Sequence, residues 1–359
     1  MSEATFRGRK AVRIENEHLR VTVTKEGGHI AELFHKATDV NPLWTPQWPS
    51  IEPSTYDPVK HPEYGRDAES RLLSGILGHN LCADIFGGPS AEEAAAGLGV
   101  HGEASVAPYE IAASAGEMTC RATLDEAQLR VERKLRLSPG SQVLRITESL
   151  ENLSATDRPI AWTQHVTLGA PFLQRGITQF RISATKSKVI EIDFTEGKGV
   201  QKTAAEFTWP HCPRRDSGTL DLRVYPKELV SAGFTTHLMD PAHEQAFFMA
   251  WSPASKVLAG YVWRRSDFPW LGRWEENCCR TQPPWNGREI TCGMEFGVSP
   301  MPETRRQMVE RGKLFGVPAF RWIPAKRRVQ VEYCAFVTTA DKIPESVTWG
   351  GGDSVGLSA

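Results

Sequence analysis

The sequence predicts an all-β protein of antiparallel sheets, and three observations carry that prediction. Alternating or β-branched segments recur along all 359 residues. Turn residues such as Pro-Gly-Ser, Glu-Gly-Lys-Gly and Asn-Gly separate them. Helical signals are confined to two short stretches, far below the roughly one third expected of a mixed domain.

HLRVTVT (18–24) alternates, and GGHIAELF (27–34) follows a glycine turn. LRVERKLRLS (129–138) runs through Pro139, Gly140 and Ser141 into QVLRITESLEN (142–152), a hairpin by its period of two. AWTQHVTLGAPFL (161–173) is an apolar strand closed by the Gly169–Pro171 turn signal. SKVIEIDF (187–194), LDLRVYP (220–226), QAFFMAWS (245–252) and KVLAGYVWR (256–264) continue the series. REITCGMEFG (288–297) and RRVQVEYCAFV (327–337) complete it. AEEAAAG (91–97) and PETRRQMVERGKLFG (302–316) are the helix candidates, the second opening on Pro and closing on Gly. The Pro- and Trp-rich residues 41–65 predict an extended loop lying over one face. With no linker and no repeat, one domain is expected over 11–340, with residues 1–10 and 341–359 as loose ends.

Lys and Arg number 42 against 43 Asp and Glu, a balance that gives no reason to expect a nucleic acid or an anionic membrane as partner. The seven cysteines include the adjacent Cys278 and Cys279 but no CxxC pair, and His211-Cys212-Pro213 is too isolated for a zinc site. Reduced thiols fit a cytoplasmic protein. MSEATFRGRK has no apolar leader region, and no run approaches the roughly 18 apolar residues of a membrane span.

His165 stands where the 161–173 strand should carry another Val or Leu. It is either a core histidine held by a backbone carbonyl or a group kept for chemistry. In GLGVHGEAS (97–105), glycines on either side of His101 let the backbone pass close to a ligand, although an ordinary loop histidine looks the same. In TCGMEFGVSP (291–300), Glu295 lies between Met294 and Phe296, flanked by Gly293 and Gly297. It either faces water or sits in a semi-buried cleft with a raised pKa. Brought together, the three supply a carboxylate that accepts a proton and an imidazolium that donates one near neutral pH. GxSxG, a P-loop, GxGxxG after a strand and HExxH do not occur, so neither a nucleotide cofactor nor a metal is expected.

Residues 261–288 set Trp263, Phe268, Trp270, Trp274 and Trp285 among charged residues, Pro and Gly. Rings in such a setting either line a groove, where they stack on the apolar face of a sugar, or clamp an irregular loop.

These residues, in this order, resemble the galactose mutarotase (aldose 1-epimerase) family. The shared features are the opening NEHLRVTVTKEGGHI (16–30), the His101-Gly102 pair, the polar-His segment at 164–168, Gly293-x-Glu295, and a basic stretch ending in Tyr333-x-x-Phe336. The resemblance spans roughly residues 12–338. It implies a galactose mutarotase-like antiparallel β-supersandwich with few short helices and an open sugar-binding cleft. It implies Glu295 as the base that takes the anomeric proton, His165 as the acid at the ring oxygen, and His101 as an assisting group. No cofactor is implied, and the expected partner is a small-molecule sugar bound by a monomer or homodimer. The chain departs from the family pattern in LLSGILGHNLCAD (72–84), where His79 and Asn80 stand in place of an expected arginine. Those two, with Trp270, Trp274 and Glu275, are the expected substrate-binding residues; only one of Glu275 and Glu276 can face the cleft of a strand. Two other readings remain: a non-catalytic carbohydrate-binding or sensing protein, and a polysaccharide lyase or hydrolase on a related sandwich.

Overall fold

The computed structural model describes residues 2–358. Two antiparallel sheets, of twelve and eight strands, dominate it. The centre of the larger sheet runs through His79–Asp84, Arg158–Gly169, Ile290–Gly297, Trp270–Asn277 and Ser231–Met239, in that spatial order. The smaller is ordered Gln179–Ile182, Gln245–Ser252, Val257–Arg264, Arg328–Thr339, Val143–Asn152, Leu129–Leu137, Glu117–Leu124 and Glu110–Ser114. Among the described residues the α-helices are Ser70–Leu73, Ala91–Ala95 and Arg305–Arg311, all short. No helix is long and apolar enough to cross a membrane.

Burial patterns show which faces the sheets cover. Leu129–Leu137 alternates buried and less buried residues, as a strand with one wet face must. His79–Asp84 and Ser231–Met239 are buried at every position, so both of their faces are covered. The main core lies between the sheets and includes Trp162, Val166, Met294, Phe296, Trp263 and Tyr333. Its centre holds a polar network. Arg133 Nε donates to Glu148 at 2.6 Å and Nη2 to Gln164 at 3.1 Å, while Trp162 Nε1 donates to Glu148 at 2.6 Å. Tyr333 donates to Gln164 at 2.8 Å, so the network ties the two sheets together.

The expected loose ends need correction. Ser2–Phe6 pairs with Arg9–Glu15. Arg7 and Gly8 both have positive φ, 53° and 85°, as a two-residue type I′ turn requires. At the other end Ser346–Trp349 pairs with Val355–Ser358. This hairpin buries Val347 and Trp349 against Trp251, Leu258 and Phe336 on the outer face of the smaller sheet. Residues 190–194 leave the sheet after Val189, and of 220–226 only Leu220 and Asp221 lie in a strand, Thr219–Asp221, which pairs with His211–Pro213. The 41–65 loop is anchored by its aromatics: Trp44 stacks on Trp285 and Trp48 meets both edge-on.

Candidate active site

Strand parity places the site. Arg158–Gly169 turns Trp162 and Val166 into the core, so Thr163, His165 and Thr167 face the other way. Ile290–Gly297 buries Cys292, Met294 and Phe296 in the same core and leaves Gly293 and Glu295 on the opposite face. The two strands are neighbours, and His165 is the direct cross-strand partner of Glu295. His165 Nε2 lies 3.1 Å from Glu295 Oε1. That oxygen is sealed from solvent and has no aligned hydrogen-bond donor. His165 Nδ1 meets Thr167 Oγ1 at 3.0 Å, which fixes the ring.

Glycines make room for the carboxylate. A Cβ on Gly293 would stand 2.2 Å from Glu295 Oε1, and one on Gly272, across the next strand, 3.3 Å from Oε2. His101 arrives from the 97–105 turn with φ of 65°. Gly102 follows with φ of 74°, and a Cβ there would lie 2.2 Å from Ala83 O. His101 Nδ1 donates to Phe86 O at 2.6 Å and its backbone N–H to Gly87 O at 3.2 Å, which hold this uncommon conformation. With Nδ1 so engaged, a neutral ring presents Nε2 as an acceptor. The His101 and His165 rings are 4.7 Å apart.

Burial controls the protonation of this trio. It pushes the Glu295 carboxyl well above its ordinary range. It pushes His165 well below that of a free imidazole, and the neighbouring His101 adds to the effect. His101 is lowered for the same reason, burial. The pair therefore favours one shared proton and no net charge.

The three groups form the floor of a cleft of about 220 Å³. Trp274 and Trp285 form one wall, and Leu72, Leu73 and Ile76, which follow the 41–65 loop, another. Phe86, Ile190, Phe194 and Phe234 close the rest. Glu69 and Arg280 stand at the rim, paired at 3.0 Å. Among the described residues no group of three His, Cys, Asp or Glu side chains is placed to hold a metal.

Of the residues expected to bind substrate, Trp274 alone lines this cleft; the other four do not. His79 has the opposite parity from its neighbour and points into the core, where it meets Gln164 at 3.0 Å and Tyr261 at 3.2 Å. Asn80 is the cross-strand partner of His165, but Ser105 covers it and donates to its Oδ1 at 3.3 Å. Trp270 is fully buried beneath the 317–318 segment, its indole N–H bonded to Pro318 O at 2.9 Å. Glu275 faces the core, bonded to Ser231 and to Arg273 at 3.1 Å. Glu276 has the cleft parity, but it accepts the backbone N–H groups of Cys279 and Arg280 and so shapes the turn that carries Arg280. Glu69, Arg280 and Phe194 were not among the expected residues. They lie on irregular segments far apart in sequence, and no local pattern marks them.

No protein-family model matches this sequence, and no curated protein matches it. Solved structures do match in fold. A protein of Klebsiella pneumoniae provisionally named an aldose 1-epimerase superposes with a TM-score of 0.67 at 16% identity, over 93% of this chain and 80% of that one. A galactose mutarotase-like protein of Clostridium acetobutylicum gives 0.60 at 12% identity, over 94% and 98% of the two chains. A galactose mutarotase related enzyme of Lactobacillus acidophilus gives 0.58 at 13%, over 92% and 99%.

Proposed function

On this galactose mutarotase-like fold, we propose that the protein interconverts the anomers of a cyclic hemiacetal, an aldose or aldose derivative, with His165 and Glu295 as the acid–base pair. The observation that carries the proposal is the 3.1 Å approach of Nε2 to Oε1 on neighbouring strands, at the floor of a walled cleft. Ring opening needs one group to take the anomeric O–H proton and another to give a proton to the ring oxygen. Glu295 takes the first and His165 gives the second as the bond from C1 to the ring oxygen breaks, leaving an open aldehyde. Rotation about C1–C2 and the reverse transfers close the other anomer. The atoms balance with no co-reactant, and the enzyme is regenerated.

The proton inventory fits this cycle. Carboxylate with imidazolium, and carboxylic acid with neutral imidazole, hold the same single proton over the pair. Burial favours the second form, which is also the form that ring opening leaves behind. In the resting site, one transfer from Glu295 to His165 across the short gap gives the first form, which starts the cycle. His101, with Nε2 free to accept, lies beside His165 to hold a substrate hydroxyl.

The test is the exchange rate between anomers, measured by NMR on wild type and Glu295→Gln. The variant is expected to lose about 10²–10⁴-fold. Binding without acceleration by wild type would favour a carbohydrate-binding protein instead.

A further inference from the structure

The side chains around the cleft state what the substrate is made of. His101, His165 and Glu295 meet at one point on its floor, the place for the two oxygens of a hemiacetal. The other two charged residues, Glu69 and Arg280, are engaged with each other at the rim. Arg280 is also 3.6 Å from Glu276, and its guanidinium lies over Trp285 and Trp274 at 4.8 and 5.6 Å. Among the lining side chains, the buried polar atoms without a partner are Glu295 Oε1 and Trp285 Nε1. All other lining side chains are aliphatic, aromatic or proline, and the apolar surface continues to the mouth, where Ile192 is 64% exposed.

A hexose brings four hydroxyls beyond its anomeric and ring oxygens. Above the floor, the Glu69 carboxylate at the rim, already paired with Arg280, is the one lining side chain that accepts their hydroxyl protons, and a buried hydroxyl without a partner weakens binding. Apolar substituents gain from the same walls. We infer that the substrate is a cyclic hemiacetal of low hydroxyl density, its ring carrying alkyl, deoxy, alkoxy or aryl groups. The inference rests on the proposed anomer interconversion for its chemistry, and on the cleft walls alone for its ligand class.

Two readouts separate the parts. Anomer exchange by NMR gives kcat/KM for glucose, for a dideoxyglucose and for tetra-O-methylglucose with its anomeric hydroxyl free. Quenching of Trp274 and Trp285 fluorescence gives the affinity for each. The expected result is a kcat/KM at least about tenfold higher for one of the two apolar hemiacetals than for glucose, the scale on which an apolar pocket discriminates. Equal or faster turnover of glucose overturns the inference and leaves the proposed function standing. Tenfold tighter binding of an apolar probe with no acceleration of any hemiacetal overturns the function and supports the ligand class. Neither binding nor acceleration with any probe overturns both.

Discussion

His165 and Glu295 face each other across adjacent antiparallel strands, Nε2 3.1 Å from Oε1, both nearly sealed from water and with the carboxylate oxygen unclaimed by any aligned donor. A buried ionisable pair of this kind has strong consequences for pH, for tolerance of neighbouring substitutions and for activity.

Glu295→Gln changes little of the packing, because the amide is isosteric and no protein donor is lost from Oε1. The expected outcome is a native circular dichroism spectrum with anomer exchange reduced about 10²–10⁴-fold. An unchanged rate would remove Glu295 from the chemistry.

The raised pKa of Glu295 has a signed effect on stability. Unfolded, the carboxyl ionises near 4.5; folded, burial keeps it protonated well above that value. Between the two pKa values the native state holds one proton more than the unfolded state, so this group's contribution falls as pH rises, by up to about 1.4 kcal/mol per unit. His165 acts in the opposite sense below 6.5, where its lowered pKa makes stability fall as pH falls. Comparing wild type with Glu295→Gln isolates the carboxyl. Urea denaturation from pH 5 to pH 8 should show the variant gaining on wild type as pH rises, and a constant difference would contradict the burial argument.

Gly293→Ala places a methyl group where Glu295 Oε1 sits, 2.2 Å away, at a backbone position without positive φ. The carboxylate must move by about an ångström, a displacement that costs on the order of 10²-fold in rate. Steady-state kinetics should show the loss in kcat while the chain remains folded.

The network between the sheets predicts a different phenotype. Glu148→Leu strips the buried Arg133 of its carboxylate partner and Trp162 Nε1 of its acceptor. Leaving such a charge uncompensated costs about 3–5 kcal/mol, measurable as a lowered urea midpoint. A change below about 1 kcal/mol would mean that water replaces the carboxylate.

The all-β reading and the parity of His165 were legible because Trp162, Val166 and Leu168 mark the core face around it, and Met294 and Phe296 mark it around Glu295 in the same way. His79 was not, because HNLCAD is buried on both faces and shows no alternation that tells one from the other. Trp270 and Trp274 share a parity; only the chain crossing at Pro318 decides that one is sealed and the other lines the cleft. The order at the two ends had the same cause. The C-terminal hairpin depends on partners such as Trp251 and Leu258, about a hundred residues away, and no local pattern records them. The cleft's apolar walls come from segments scattered between Leu72 and Pro302, which sequence alone does not bring together.

The most direct test is NMR exchange spectroscopy on the α and β anomers of glucose and of tetra-O-methylglucose, with wild type and His165→Asn side by side. The account predicts that wild type accelerates exchange of at least one of them and that the variant loses at least about 10² of that acceleration. Exchange at the buffer rate with wild type for both hemiacetals, or equal acceleration by His165→Asn, would contradict it.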